Sequence, residues 1–279
     1  MIDISAQAVT GTAAGVPFLA APPTTARAHA PVVIAWHLMD PPRTEAAFAA
    51  AVPLAGLDAW RIYLGLPMCG ARTPAGGPSE LMRLGFEDAV LNLQGPVTTQ
   101  GVAEFPAAFA ALRDRLGFGD GPVAFVGGSM GSAVAQLAAS SPDAPDPVAM
   151  VLVRPISRLR SAVDALGRRY GVEYPWGQAA LAVAQRLDFV SHAAETAARG
   201  PAVRIIVGAL DDAEGFRDPA RELREALAAH HPDPAHVDLV TVEGMANELA
   251  EEPGVEPAPQ LPQAAEVDRL TVAWLQAHL

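Results

Sequence analysis

Short, continuous apolar runs alternate along the chain with longer stretches in which Ala, Leu and Arg recur at helical spacing. The runs VVIAW, VAFVG, VAMVLV and VRIIV show no polar alternation, the pattern of parallel strands covered on both faces. Strands are predicted near residues 2–9, 16–20, 31–36, 59–65, 122–127, 148–153, 203–207 and 236–242, and helices near 44–54, 102–116, 130–140, 219–229 and 264–277. Strand–helix alternation of this kind builds βαβ units. The expectation is an α/β protein with a doubly wound, mostly parallel eight-stranded sheet, formed by a single domain over 1–279.

Two stretches break the alternation. Residues 66–100 are Pro- and Gly-rich and read as a long connection with one short helical piece at 79–91. Residues 155–200 read as two helical segments joined by GVEYPWG. An excursion this long inside a compact domain usually carries function. It is expected to form a helical cap over the carboxyl ends of the strands, where open α/β sheets bind ligands. Tyr174 and Trp176 in the joining segment, with Tyr170 before it, are candidates to wall an apolar pocket, or else to hold the cap to the sheet.

The chemistry concentrates after the run VAFV, where Gly127-Gly128-Ser129-Met130-Gly131 leads directly into an Ala-rich helical pattern. This G-x-S-x-G, set between strand and helix, is the setting of a nucleophile elbow. The turn is tight, so the neighbours of Ser129 must lack side chains. The N–H of Met130 falls at a helix N-terminus, where it can stabilise an oxyanion. The bland alternative is a Gly-rich turn in which Ser129 only caps the helix.

With these residues the chain resembles the α/β-hydrolase superfamily over most of its length, in the manner of bacterial serine esterases, thioesterases and peptidase-like members. The resemblance implies an acid in the turn after the seventh strand, where Gly208-Ala209-Leu210-Asp211-Asp212 stands. Asp211 takes that place, with Asp212 as the neighbour that could replace it. It also implies a second oxyanion donor in Trp36-His37-Leu38-Met39. Met39, or failing it Leu38, would offer its N–H. His37 would lie under the loop, and His37 and Leu38 are candidate substrate contacts. Leu38 stands where the family often has Gly. The base should follow the eighth strand, but Gly244-Met245-Ala246-Asn247 supplies Asn247. An amide cannot accept a proton near neutral pH.

Three explanations stand open. Asn247 is an engineered replacement of a histidine, made to silence turnover and trap a ligand or intermediate. Alternatively, the chain is a natural non-hydrolytic member that binds or rearranges a small apolar ligand. Or another histidine acts, from among His29, His37, His192, His230, His231, His236 and His278. Of these, His230, His231 and His278 are expected in solvent and His192 at the end of the cap. The expected substrate is a mid-sized, mainly hydrophobic acyl ester, thioester or lactone, and hydrolysis is expected to be nearly silent.

Composition narrows the classes. A net charge of -12 leaves no basic stripe for a phosphate backbone, so no nucleic-acid partner is expected. No apolar run reaches the ~20 residues that span a bilayer, so no membrane partner is expected. The acidic N-terminus lacks the basic region of a secretory signal, and with one cysteine, Cys69, no disulfide framework forms; a cytoplasmic setting is expected. All 19 basic residues are Arg, as in a GC-rich bacterial genome. No Cys/His metal cluster, P-loop or dinucleotide G-x-G-x-x-G is present, and neither metal nor cofactor is expected.

Overall fold

A computed structural model describes residues 8–25 and 29–279. Eight strands form one sheet: β1 (Val9–Ala13), β2 (Val16–Ala21), β3 (Val32–Trp36), β4 (Trp60–Leu64), β5 (Val123–Gly128), β6 (Pro147–Val153), β7 (Ala202–Gly208) and β8 (Val237–Val242). Their order is β1-β2-β4-β3-β5-β6-β7-β8. β2 runs antiparallel to both β1 and β4, and every pair from β4 to β8 is parallel. The eight-stranded, mostly parallel sheet is the one expected. β3 and β5, in the middle, are buried at every position, which is why they read as unbroken apolar runs.

Helices cover both faces. α1 (Glu45–Ala51) and α9 (Pro262–His278) lie on one side, and their apolar residues join Val33, Val126 and Val151 of the sheet in one core. α3 (Gly95–Leu116), α4 (Met130–Ser140) and α8 (Asp218–His230) close the other side. There Trp36 meets Phe105 and Phe125 edge-on, with ring centroids 4.9 and 5.3 Å away. Such edge-to-face pairs add to the area they bury. Among the described residues no helix is long and apolar enough to cross a membrane.

The first described strand is Val9–Ala13. The reversal falls at Ala14 and Gly15, both at positive φ, and residues 2–7 lie outside the described residues. The 66–100 connection is mostly helical: α2 (Gly77–Ala89) stops at Asp88, whose φ of -166° and ψ of 97° break the helix. A π-helical turn, Val90–Gln94, then runs straight into α3. Asp88 Oδ1 accepts from the N–H groups of Val90 and Leu91, so it caps the new helix start. The 155–200 excursion divides differently too. α5 (Leu159–Tyr170) and α6 (Gln178–Arg186) pack on the segment after β7 and on the π turn, whereas α7 (Ala193–Ala197) packs against α8 and α4 within the layer.

Candidate active site

Ser129 sits between β5 and α4 with φ 47° and ψ -114°, a backbone conformation that L-residues rarely adopt. Holding a non-glycine residue there costs about 1–3 kcal/mol, and such strain collects at functional sites. The surrounding glycines show what enforces it. A Cβ on Gly131 would collide with the carbonyl oxygens of Trp36 and His37. One on Gly128 would strike the Leu38 side chain, and one on Gly127 would lie 2.6 Å from the Ser132 Cα. The turn is pinned by the Ser129 N–H donating to Val153 O at 2.9 Å and by Ser132 Oγ donating to Ser129 O at 2.5 Å. Ser129 is 6% exposed, and among the described residues no side chain hydrogen-bonds its hydroxyl. Met130 opens α4, so its N–H has no intrahelical acceptor and faces out of the helix start.

The loop after β3 approaches the same turn. His37 is fully buried. Its Nδ1 meets Leu38 O at 2.5 Å and its Nε2 accepts from the Leu66 N–H at 2.9 Å, so it is neutral and spent on backbone. Burial drives its pKa down to about 4. Leu38 is 0% exposed and packs on the elbow. Both were expected to contact substrate. Both are buried, and Leu38 lies against the Gly128 backbone of the elbow. Met39 is partly exposed beside them, its carbonyl accepting from Arg43 Nε at 3.0 Å, which leaves its N–H as the candidate second donor.

Asp211 lies in the turn after β7, buried, with Oδ2 accepting from the Gly208 N–H at 2.7 Å. Asp212 points elsewhere, to the Gly215 N–H and to Arg168, and is exposed. The partner of Asp211 is the residue that sequence reasoning missed. Arg154, at the end of β6, donates from Nε to Asp211 Oδ1 at 2.6 Å and from Nη2 to Asn247 Oδ1 at 2.8 Å. Its Nη1 lies 3.4 Å from Asp40 Oδ2, and its guanidinium stacks 3.9 Å from the centre of the Phe216 ring. Burial pushes the Asp211 carboxyl above its usual range, and the facing Arg154 charge pulls it partly back. Arg154 itself takes φ 46°, a second strained non-glycine residue beside the first. One cation thus ties together the acid turn, the Asn247 loop and the loop that carries Met39. Its only sequence signal was a lone Arg closing an apolar strand.

The histidines do not fill the gap. His192 meets Glu195 and Gln185 O, and His278 meets Trp274 O. His231, expected in solvent, is buried with Nε2 on Pro201 O and Nδ1 on the Asp233 N–H. Among the described residues no histidine hydrogen-bonds Ser129 or Asp211. Tyr174 and Trp176 are not brought to Ser129 either. Their rings stack edge-on at 4.7 Å, Tyr174 Oη donates to Asp88 at 2.5 Å, and Trp176 Nε1 donates to Asp164 at 2.8 Å. They wall a cleft of about 500 Å³ with Arg160 and Arg168 that includes none of Ser129, Asp211 or Asn247. Cys69 is buried, its thiol pushed up to about 12. Among the described residues no group of acidic, His and Cys side chains is placed to hold a metal.

No family model matches the chain, and no curated protein matches it in sequence. In structure it is similar to the Thermus thermophilus protein TT1662, at 17% identity and TM-score 0.63 over 97% of each chain. It is also similar to carboxyl esterase 2 of the mycorrhizal fungus Tuber melanosporum, at 15% identity and TM-score 0.58 over 100% of this chain and 89% of that one. A puromycin-hydrolysing peptidase of Mycobacterium tuberculosis is similar at 20% identity and TM-score 0.62 over 98% of this chain but 40% of that one. The sheet order and these neighbours, among them an esterase and a peptidase, define the α/β-hydrolase fold.

Proposed function

We propose that the chain carries a serine-hydrolase-type site that binds small acyl compounds, namely an ester, thioester or lactone, and that its own hydrolysis is nearly silent. Ser129 is the candidate nucleophile, and the N–H groups of Met130 and Met39 are the candidate oxyanion donors. Asp211 holds the place of the acid and Asn247 that of the base. No cofactor is assigned a role. The observation that carries this reading is the strained Ser129 at a glycine-enforced strand–helix turn, a conformation that costs stability.

Silence follows from proton accounting. Attack on a carbonyl requires that the Ser129 proton leave, and the triad logic assigns that step to an imidazole oriented by the acid. Here a guanidinium occupies the acid, and it cannot accept a proton. Residual rate from oxyanion stabilisation alone is on the order of 10³-fold over water.

The Arg154 network favours a natural non-hydrolytic site over a single silencing substitution. Replacing a histidine by Asn247 would leave Asp211 buried and unpaired unless Arg154 were already arranged to meet it. Titration of short p-nitrophenyl and thioester substrates tests the proposal. Binding seen by thermal shift, with hydrolysis no faster than in Ser129→Ala, is expected. Multiple turnover that Ser129→Ala abolishes would overturn the silence, and absence of any acyl binding would overturn the site.

A further inference from the structure

A second cleft, of about 370 Å³, opens on the flank of the molecule between α3, the end of α4 and the last turn of α6. Arg186 lines it. Its Nη2 donates to Thr98 Oγ1 and Thr99 Oγ1, both at 2.9 Å, and to Gly95 O at 3.4 Å. All three acceptors are neutral, and among the described residues no carboxylate pairs with Arg186 although the chain has 31 acidic residues. Its Nε and Nη1 make no hydrogen bond among the described residues. Burial against neutral oxygens pulls the guanidinium below its ordinary pKa. A half-buried cation without a counter-charge is costly, and a ligand carboxylate would repay that cost with charge-assisted hydrogen bonds.

The rest of the wall carries the opposite preference. Asp143 lines the same cleft, so a multiply charged anion such as phosphate would meet repulsion there. Pro106, in the interior of α3, has no N–H, which leaves the Val102 carbonyl without its α-helical donor. A carboxylate and a spare carbonyl suit an ammonium group. Val102, Pro106 and Leu137 supply an apolar surface between these poles. We propose that this cleft is a binding site for a free apolar α-amino acid, with its carboxylate on Arg186, its ammonium toward Asp143 and the Val102 carbonyl, and its side chain on Val102 and Leu137. The site is independent of Ser129 and joins α6 to α3, so an occupant would stiffen that contact.

Amide NMR with L-leucine as the probe tests it on the intact chain. Expected are saturable shifts centred on Thr99, Ala103 and Ser141. 4-Methylpentanoate, which lacks the ammonium, and leucinamide, which lacks the carboxylate, should each bind at least about tenfold more weakly, since each forfeits one charge-assisted contact. Arg186→Gln should weaken leucine by at least about tenfold, and Asp143→Asn, which leaves the α6–α3 contact untouched, by a few-fold. Ser129→Ala should leave the titration unchanged, which separates failure here from failure of the acyl-site reading. Absence of leucine binding at millimolar concentration overturns the proposal. So does equal affinity for the two truncated probes, or leucine affinity in both Arg186→Gln and Asp143→Asn equal to that of the parent.

Discussion

Restoring a histidine at position 247 is the obvious way to wake the proposed nucleophile, and the structure argues that it fails alone. An imidazole there is useful only if it docks on Asp211, whose Oδ1 is held by Arg154 Nε at 2.6 Å in a buried ion pair. Breaking one partner from such a pair costs about 3–5 kcal/mol. A new imidazole–carboxylate hydrogen bond returns about 1.5–3 kcal/mol. The deficit spans about 0–3.5 kcal/mol, and its central part, about 1–3 kcal/mol, leaves the productive arrangement about 5- to 150-fold depleted. Removing the cation as well lifts that tax. Arg154→Gly suits the position, because Arg154 takes φ 46°, where glycine is unstrained. The assay is kcat/KM for p-nitrophenyl butyrate in the parent, the two single variants and the double variant. The double variant is expected to exceed Asn247→His by about 5- to 150-fold, in keeping with that deficit. It should exceed the parent by about 10²- to 10⁴-fold, the usual worth of a positioned base, and lose the gain with Ser129→Ala. Equal rates in Asn247→His and the double variant would refute the claim that Arg154 blocks the acid. A double variant no faster than the parent, although folded, would refute the assignment of position 247.

Other outcomes follow from the same geometry. Ser129→Gly should raise stability by about 1 kcal/mol by relieving the positive φ, whereas Ser129→Ala, which keeps the Cβ, should not; equal urea midpoints for the two would count against backbone strain at the elbow. Arg154→Met should cost about 3–5 kcal/mol near neutral pH by leaving the Asp211 carboxylate buried and unpaired. The sign with pH is set by a folded-state pKa already raised by burial and raised further without the cation. That variant's stability is fullest below the ordinary carboxylate range and is lost as pH rises through the folded value. Its deficit relative to the parent should therefore shrink on acidification, and urea melts showing a constant deficit would contradict this. Gly131→Ala should destabilise severely, since its Cβ would meet two backbone carbonyls that cannot turn away, and near-parental thermal melting would refute that contact.

What could be read from the sequence divides by the range of the forces involved. The central strands and α4 were legible because burial on both faces writes a continuous apolar run, and because Gly127, Gly128 and Gly131 leave their mark wherever backbone must pass close to backbone. The helix from 95 to 116 was half hidden. Pro96 sits at its first turn, where proline is tolerated, and Asp88, inside the helical piece predicted at 79–91, breaks that piece and caps the π turn that leads into α3. Tyr174 and Trp176 were legible as an aromatic pair but not in direction. Which cleft they wall depends on how α5 folds back on the joining segment, a tertiary outcome with no local signal. Asp211 could be distinguished from Asp212 only by its hydrogen bonds, because adjacent carboxylates in a turn look alike in sequence.

Arg154 was illegible for a further reason. Its partners Asp40, Asp211 and Asn247 are 114, 57 and 93 residues away, so no spacing rule connects them. Their agreement is nevertheless close. The guanidinium has a carboxylate for Nε, an amide oxygen for Nη2, a second carboxylate near Nη1 and an aromatic face beneath it. A histidine in place of Asn247 that donated a ring N–H to Asp211 would compete with Arg154 Nε for the same carboxylate oxygen. Arginine and histidine are thus alternatives for the same carboxylate, and asparagine is a residue at 247 that accepts from the arginine without competing for the acid. Asn247, which in sequence is a missing base, is in structure one acceptor of a completed cation site.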